Sequence, residues 1–263
     1  MSALRWAVED SWTVTRRYLI HLGRQPEQLV MLAAFPILLV LMFGYLLGGG
    51  MTVPGGGNYL EFLMPGMFAM TMGFGMAATM IAVLDDASKG VTDRFRSLPM
   101  APSAVLVGRS LADMVSAVIA LAAVVGSGFA VGWRPHGGLG ATLGAFGLLL
   151  LLRFSLLWVG IYLGLKIRTP SSVTLVQTLE FPFGFLSGVF VATSTMPAWL
   201  GTIADWNPLS STAGAARELF GNPGWGGDSW ITGHGVLMAA VWPVVILAVF
   251  FPLSVRAYRG LGA

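Results

Sequence analysis

Long apolar runs alternate with short polar breaks along almost the whole chain. Six runs are long enough to cross about 30 Å of hydrocarbon at about 1.5 Å per residue. They cover 29–48, 60–84, 104–131, 139–165, 172–194 and 234–255. The fifth is the least regular, because it carries Glu180 and Pro182. Ahead of them, Leu4, Val8, Trp12, Leu19 and Leu22 fall within about 80° of one another on a helical wheel. Arg5, Glu9, Asp10, Thr13, Arg16, Arg17 and Arg24 occupy the opposite side. Residues 4–24 therefore read as an amphipathic helix, suited to lying flat on a membrane surface or to packing on another subunit. Late in the chain, two shorter periodic stretches, 196–206 and 209–220, are separated by Asn207-Pro208. Pro begins the first, and neither is long enough to cross. They fit a re-entrant hairpin over 196–220 on the outer face, or an interfacial loop.

One stretch breaks the apolar rhythm sharply. Six charged side chains fall between Asp85 and Arg96, with long apolar runs on either side. Asp85 and Asp86 suit a helix N-terminus, Arg94 and Arg96 suit its later half, and Pro99 stops it. Val91, Phe95 and Leu98, spaced four and three apart, draw one apolar stripe on an otherwise polar helix over 85–98. Such a helix can dock a soluble partner; the alternative is an ordinary positively charged loop.

Composition turns the pattern into a fold class. The chain is 56% hydrophobic and 10% charged, against about 25% charged in soluble domains. The excess apolar surface has to face lipid. The expected fold is an all-α polytopic membrane protein, a single transmembrane domain over 1–263. With six spans, Arg5, Arg16, Arg17, Arg24, Lys89, Arg94, Arg96, Arg109, Lys166, Arg168, Arg256 and Arg259 share one face. Arg134 and Arg217 lie on the other, and Arg153 lies within a span. The rule that basic residues stay inside puts the first face and both termini in the cytoplasm. Trp133, Trp199, Trp206, Trp225 and Trp230 gather on the outer face, where indole rings favour the interface.

The residues exclude most chemistry. There is no cysteine, hence no disulfide, thiolate nucleophile or cysteine metal site. No phosphate-binding Gly-x-x-x-x-Gly-Lys-Ser/Thr loop occurs, and the only lysines are Lys89 and Lys166. His21, His136 and His234 lie in separate segments, without a His-Glu-x-x-His pattern. A membrane-embedded enzyme is thereby disfavoured, and the basic balance belongs to membrane orientation, not to nucleic acid. Two charges stand out inside spans, Arg153 and Glu180. Each costs at least about 2.5–3.5 kcal/mol at mid-membrane if alone. They are expected to pair in the protein interior; the alternative is that each reaches interface or water separately. Glu61 and Asp113 lie closer to span ends and read as cap or interface residues.

Three ordered motifs carry a family resemblance. Lys89-Gly-Val-Thr-Asp-Arg-Phe-Arg-Ser-Leu-Pro-Met100 is similar to the element that follows the second span in membrane subunits of type-2 ATP-binding-cassette (ABC) transporters. Val91 departs from the threonine commoner in that region of the element. Tyr59-Leu-Glu-Phe-Leu-Met-Pro-Gly66 resembles the opening of their second span. Phe185-Leu-Ser-Gly-Val-Phe190, Met196-Pro-Ala-Trp-Leu200 and Asn207-Pro-Leu209 resemble the region before their sixth. The daunorubicin-resistance permeases are the group most resembled. The resemblance implies an interfacial N-terminal helix, six spans, a coupling helix after span two and re-entrant helices before span six. It implies a non-enzymatic transport subunit of a bacterial inner membrane, paired with a second permease copy or paralogue and docked to separate ABC ATPase subunits. ATP and magnesium would sit on those partners, with no cofactor in this chain. Asp93, Arg94, Phe95 and Arg96, with Val91 and Leu98 beside them, would make the coupling contact, Phe95 as apolar anchor. The substrate implied is an amphipathic drug-like molecule; a lipid or glycan is the rival within transport. A membrane-embedded enzyme and an anchor for a soluble partner are the rivals outside it.

Overall fold

Every regular element among the described residues is helical. The computed structural model describes residues 3–24, 26–47, 58–96, 100, 102–167, 169–224 and 229–262. The helices are α1 (Ala3–Gly23), α2 (Pro26–Leu41), α3 (Tyr59–Gly73), α4 (Met76–Ser88), α5 (Val91–Arg96), α6 (Pro102–Ala130), α7 (Leu139–Lys166), α8 (Pro170–Phe185), α9 (Ala198–Asp205), α10 (Pro208–Phe220), α11 (Trp230–Gly233) and α12 (Gly235–Arg259). A π-helical turn, Met42–Leu47, continues α2. Four helices are long and apolar enough to cross a membrane among the described residues: Tyr59–Ser88, taken through α3 and α4 together, Ser103–Ala130, Leu139–Lys166 and Gly235–Arg259. The region of the first expected run holds a shorter apolar helix, Ala33–Leu46.

The fifth expected run, 172–194, is corrected. Its helix stops at Phe185, because Asn207 reaches back and donates from its side-chain amide to the Phe183 and Leu186 carbonyls. Those end carbonyls have no partner within their own helix. The chain then turns through Ser187, Gly188, Val189 and Phe190, all buried. The charged island is corrected too. Asp85 and Asp86 belong to the last turn of α4, not to the start of a coupling helix. Gly90 separates the two helices at φ 67°, a left-handed conformation that favours glycine. The helix inside the island is the six-residue α5. Leu98 lies outside the described residues, as do Trp225 and residues 48–57.

Two apolar clusters organise the bundle. One gathers Phe62, Met64, Met67 and Phe68 of α3 with Leu149 and Leu152 of α7 and Leu209, Ala213 and Phe220 of α10. The other gathers Val83 of α4, Val105 and Leu106 of α6, Trp158, Ile161 and Leu165 of α7, and Val255 and Tyr258 of α12. Lipid tails are as apolar as these side chains, so helices associate through close contact and small residues. Gly160 and Gly164 of α7 do this against α4, where a Cβ would come within 2.7 Å of the Met76 carbonyl and 2.8 Å of Val83. The short helix α10 is inserted among α3, α7 and α12. Trp133, expected at the outer interface, is a core residue. It is 1% exposed, edge-on to Phe68 and Phe220, and donates to Asn222 Oδ1 at 3.0 Å. Trp199, Trp206 and Trp230 are exposed.

α1 matches the amphipathic helix read from 4–24, and it packs along α6 by a third face. Ser11, Val14 and Thr15 are buried there, Thr15 donating to the Gly108 carbonyl at 2.9 Å. Val8 and Trp12, on the apolar stripe, stay exposed.

Candidate functional site

The second span is broken near its middle. α3 ends at Gly73, Phe74 is extended, and Gly75 takes φ 110° before α4 begins. A residue with a Cβ would be strained at that φ, and its Cβ would lie 2.6 Å from an Arg153 guanidinium nitrogen. A break exposes backbone groups that lipid cannot satisfy, so other side chains have to. Arg153 of α7 donates to the Phe74 carbonyl at 2.8 Å. Glu180 of α8 accepts from the Gly75 and Ala77 amides at 3.2 and 2.9 Å. Each charge matches the helix end it meets: the cation lies at the carbonyl end of α3 and the carboxylate at the amide end of α4. Arg153 and Glu180 thus meet at one place and are within electrostatic range of each other. Each bonds to the broken backbone; no hydrogen bond between the two is seen among the described residues. Phe74 packs edge-on against Phe181, and a cavity of about 160 Å³ opens beside the break between Phe35 and Leu39 of α2 and Met67, Met70 and Phe74.

From this break a line of charge runs to the end of α4. Asp113 of α6 lies within electrostatic range of Arg153 and of Arg109. Arg109, one turn earlier on α6, pairs with Asp86 at the end of α4. Tyr18 of α1 donates to the same Asp86 carboxylate at 2.5 Å. Burial pushes the Tyr18 phenol well above its ordinary pKa; Arg109 opposes this and Asp86 adds to it. Arg109 Nε, Asp113 Oδ2 and Arg153 Nε are buried without a hydrogen-bond partner among the described residues. Asp113 and Arg109 therefore belong to the protein interior, where the sequence reading had a cap residue and a positively charged flank. Their spacing of four on one helix was the available signal.

α5 hangs directly from this line. Val91 is half-buried and Asp93 and Arg94 are exposed. Phe95 is packed against the cluster formed by Val83, Val105 and Trp158, with the Arg17 guanidinium 5.3 Å from its ring centre. Its ring thus faces the protein's own helices, which binds α5 to α1 and to the bundle. Arg96 ends the helix.

At the other end of α3, Arg217 was placed by sequence on an outer loop; it is 3% exposed. It donates to the Phe62, Gly188 and Val189 carbonyls at 3.0, 2.7 and 2.7 Å, and lies 3.7 Å from the Phe62 ring centre. The guanidinium also lies against Gly66 of α3, where a Cβ would come within 2.9 Å of it. Nearby, the Phe220 carbonyl accepts from the His136 and Gly137 amides, and His136 pairs with Glu61 at 3.1 Å. Among the described residues, no group of three or more His, Asp or Glu side chains could hold a metal ion.

The sequence profile of the ABC-2 type transporter family matches residues 9–220. The chain belongs to that family. The matched stretch begins inside α1 and ends with α10, so it contains the broken span, the charged line, α5 and the buried Arg217. The chain is similar to the daunorubicin resistance ABC transporter permease protein DrrB1 of Streptomyces coeruleorubidus, 34% identical over 259 residues, covering 98% of this chain and 88% of that protein. It is also similar to ycf38 of Cyanophora paradoxa, 24% identical over 224 residues, 83% of this chain and 76% of that one. The ABC-2 membership makes the chain a membrane-transport family protein, and the buried charges are features of its interior.

Proposed function

We propose that this chain is the membrane permease of an ATP-driven exporter that moves an amphipathic, drug-like molecule out of the cell. The observation that carries the reading is α5: a short polar helix at the end of the second span, anchored to the bundle by Phe95 and Arg17, with Asp93 and Arg94 facing outward. That is the form a docking point for a soluble ATPase takes. Near full-length similarity to a drug-resistance permease supports the substrate class. In this reading α2 and α8 complete a set of six spans in a bacterial inner membrane, with both termini and α5 in the cytoplasm. α9 and α10 form the re-entrant pair. A second permease, identical or related, completes the membrane unit. ATP and magnesium are held by the partner ATPase.

The test is co-purification. The permease expressed with a candidate ABC ATPase from the same organism should be isolated as a complex whose ATP hydrolysis rises with an anthracycline. Asp93→Lys combined with Arg94→Glu should abolish that association and leave the permease in the membrane. Association that survives this double reversal argues against α5 as the docking point. Stimulation by lipid or glycan in place of the anthracycline would move the substrate class; a permease that never binds an ATPase would remove the transport reading.

A further inference from the structure

We infer that Glu180 yokes α8 to α5, the coupling helix of the proposed function, through the broken second span. α8 packs principally on α4, and α5 likewise packs on α4. The bond between α8 and α4 is made at the start of α4, by the Glu180 carboxylate accepting from the Gly75 and Ala77 amides. α4 is a separate rod here, since Phe74 and Gly75 interrupt the helix and Arg153 closes the α3 side of the gap. A displacement of α5 is therefore passed to α4, which it joins through Gly90. It reaches the break, and there it is shared with α8 through a charge-assisted hydrogen bond to backbone. Phe181, the residue after Glu180, adds a second contact by packing on Phe74. An unbroken second span would offer Glu180 no free amides, because each would be committed to its own helix. The break and the carboxylate are thus two halves of one joint, and Glu180 acts as a positioning residue.

The direction in which force enters rests on reading α5 as the ATPase dock; the joint itself rests on geometry within this chain. The chain lacks cysteine, so spin labels on introduced cysteines report without background. Ala78 on α4, Leu175 on α8 and Glu218 on α10 are exposed sites for them. The full-length permease in lipid nanodiscs should give a single narrow Ala78–Leu175 distance. Glu180→Gln, whose amide oxygen still accepts both N–H groups, should keep it. Glu180→Leu should lose it to a broad distribution, and a narrow distribution retained in that variant overturns the joint. If Glu180→Leu fails to insert, the unsubstituted complex with its ATPase decides. Adding a non-hydrolysable ATP analogue should shift Ala78–Glu218 by about 2 Å and leave Ala78–Leu175 in place. An equal shift in both pairs overturns the inference. The nanodisc measurement needs no ATPase, so a failed joint and a failed transporter reading show up in different experiments.

Discussion

Arg153 and Arg217 are both buried guanidiniums that donate to backbone carbonyls of the same span, yet their surroundings differ. Among the described residues, Arg217 meets no carboxylate hydrogen-bond partner. Three carbonyls and the face of Phe62 surround it, so three pieces of chain converge on one rigid fork. Arg153 donates to one carbonyl and stands in a line of acids and bases that runs through Asp113, Arg109 and Asp86 to the foot of α4. The first arrangement fixes geometry, because a planar fork satisfied by three oxygens has one acceptable position. The second leaves atoms unpartnered and charges sharing one another's field, which is compatible with movement. The span Tyr59–Ser88 is held as a rivet near Phe62 and as a joint at its middle.

The contrast can be broken by substitution. Arg217→Met should be the most damaging single change, stranding three buried carbonyls for a loss of about 3–5 kcal/mol in the thermal unfolding of the purified permease. Arg153→Met removes one bond, and should cost about 1–3 kcal/mol while impairing transport more than stability. Equal destabilisation by the two would end the distinction. Gly75→Ala tests the joint alone: positive φ and the nearby guanidinium should cost about 1–3 kcal/mol, measured in the same melts, and slow export further than that loss explains. Tyr18→Phe should have the smallest effect, about 1 kcal/mol. The folded-state pKa of Tyr18 is raised, so its contribution is complete below about pH 10 and fades as pH rises further. Melting curves of the unsubstituted protein should therefore fall more steeply above that pH than those of Tyr18→Phe.

Periodicity and polarity made the helical class, the helix over 4–24 and the special nature of the charged island legible, since each depends on local spacing. What local spacing does not carry is which side chain satisfies whose backbone. Glu180 and Arg153 were visible as misplaced charges, and the natural expectation was that they answer each other. They answer Gly75, Ala77 and Phe74, on a third helix about 80–100 residues earlier in the chain. The early end of α8 depended in the same way on Asn207. Phe95 was visible as part of an apolar stripe, but a stripe does not say whether it turns to a partner or to the chain's own core. Arg217 looked like a loop residue because only the inserted position of α10 buries it.

The break also has an order in time. When residues 59–88 leave the ribosome, Arg153 and Glu180 have yet to be made. Until they arrive, an opened backbone in lipid would cost several kcal/mol per unpaired group. The nascent second span is therefore expected to enter the membrane as one unbroken helix and to part at Phe74–Gly75 when Arg153 and Glu180 pack against it. A chain truncated before Arg153 should show the second span's amides protected from exchange throughout, because this span finishes folding after the helices that follow it.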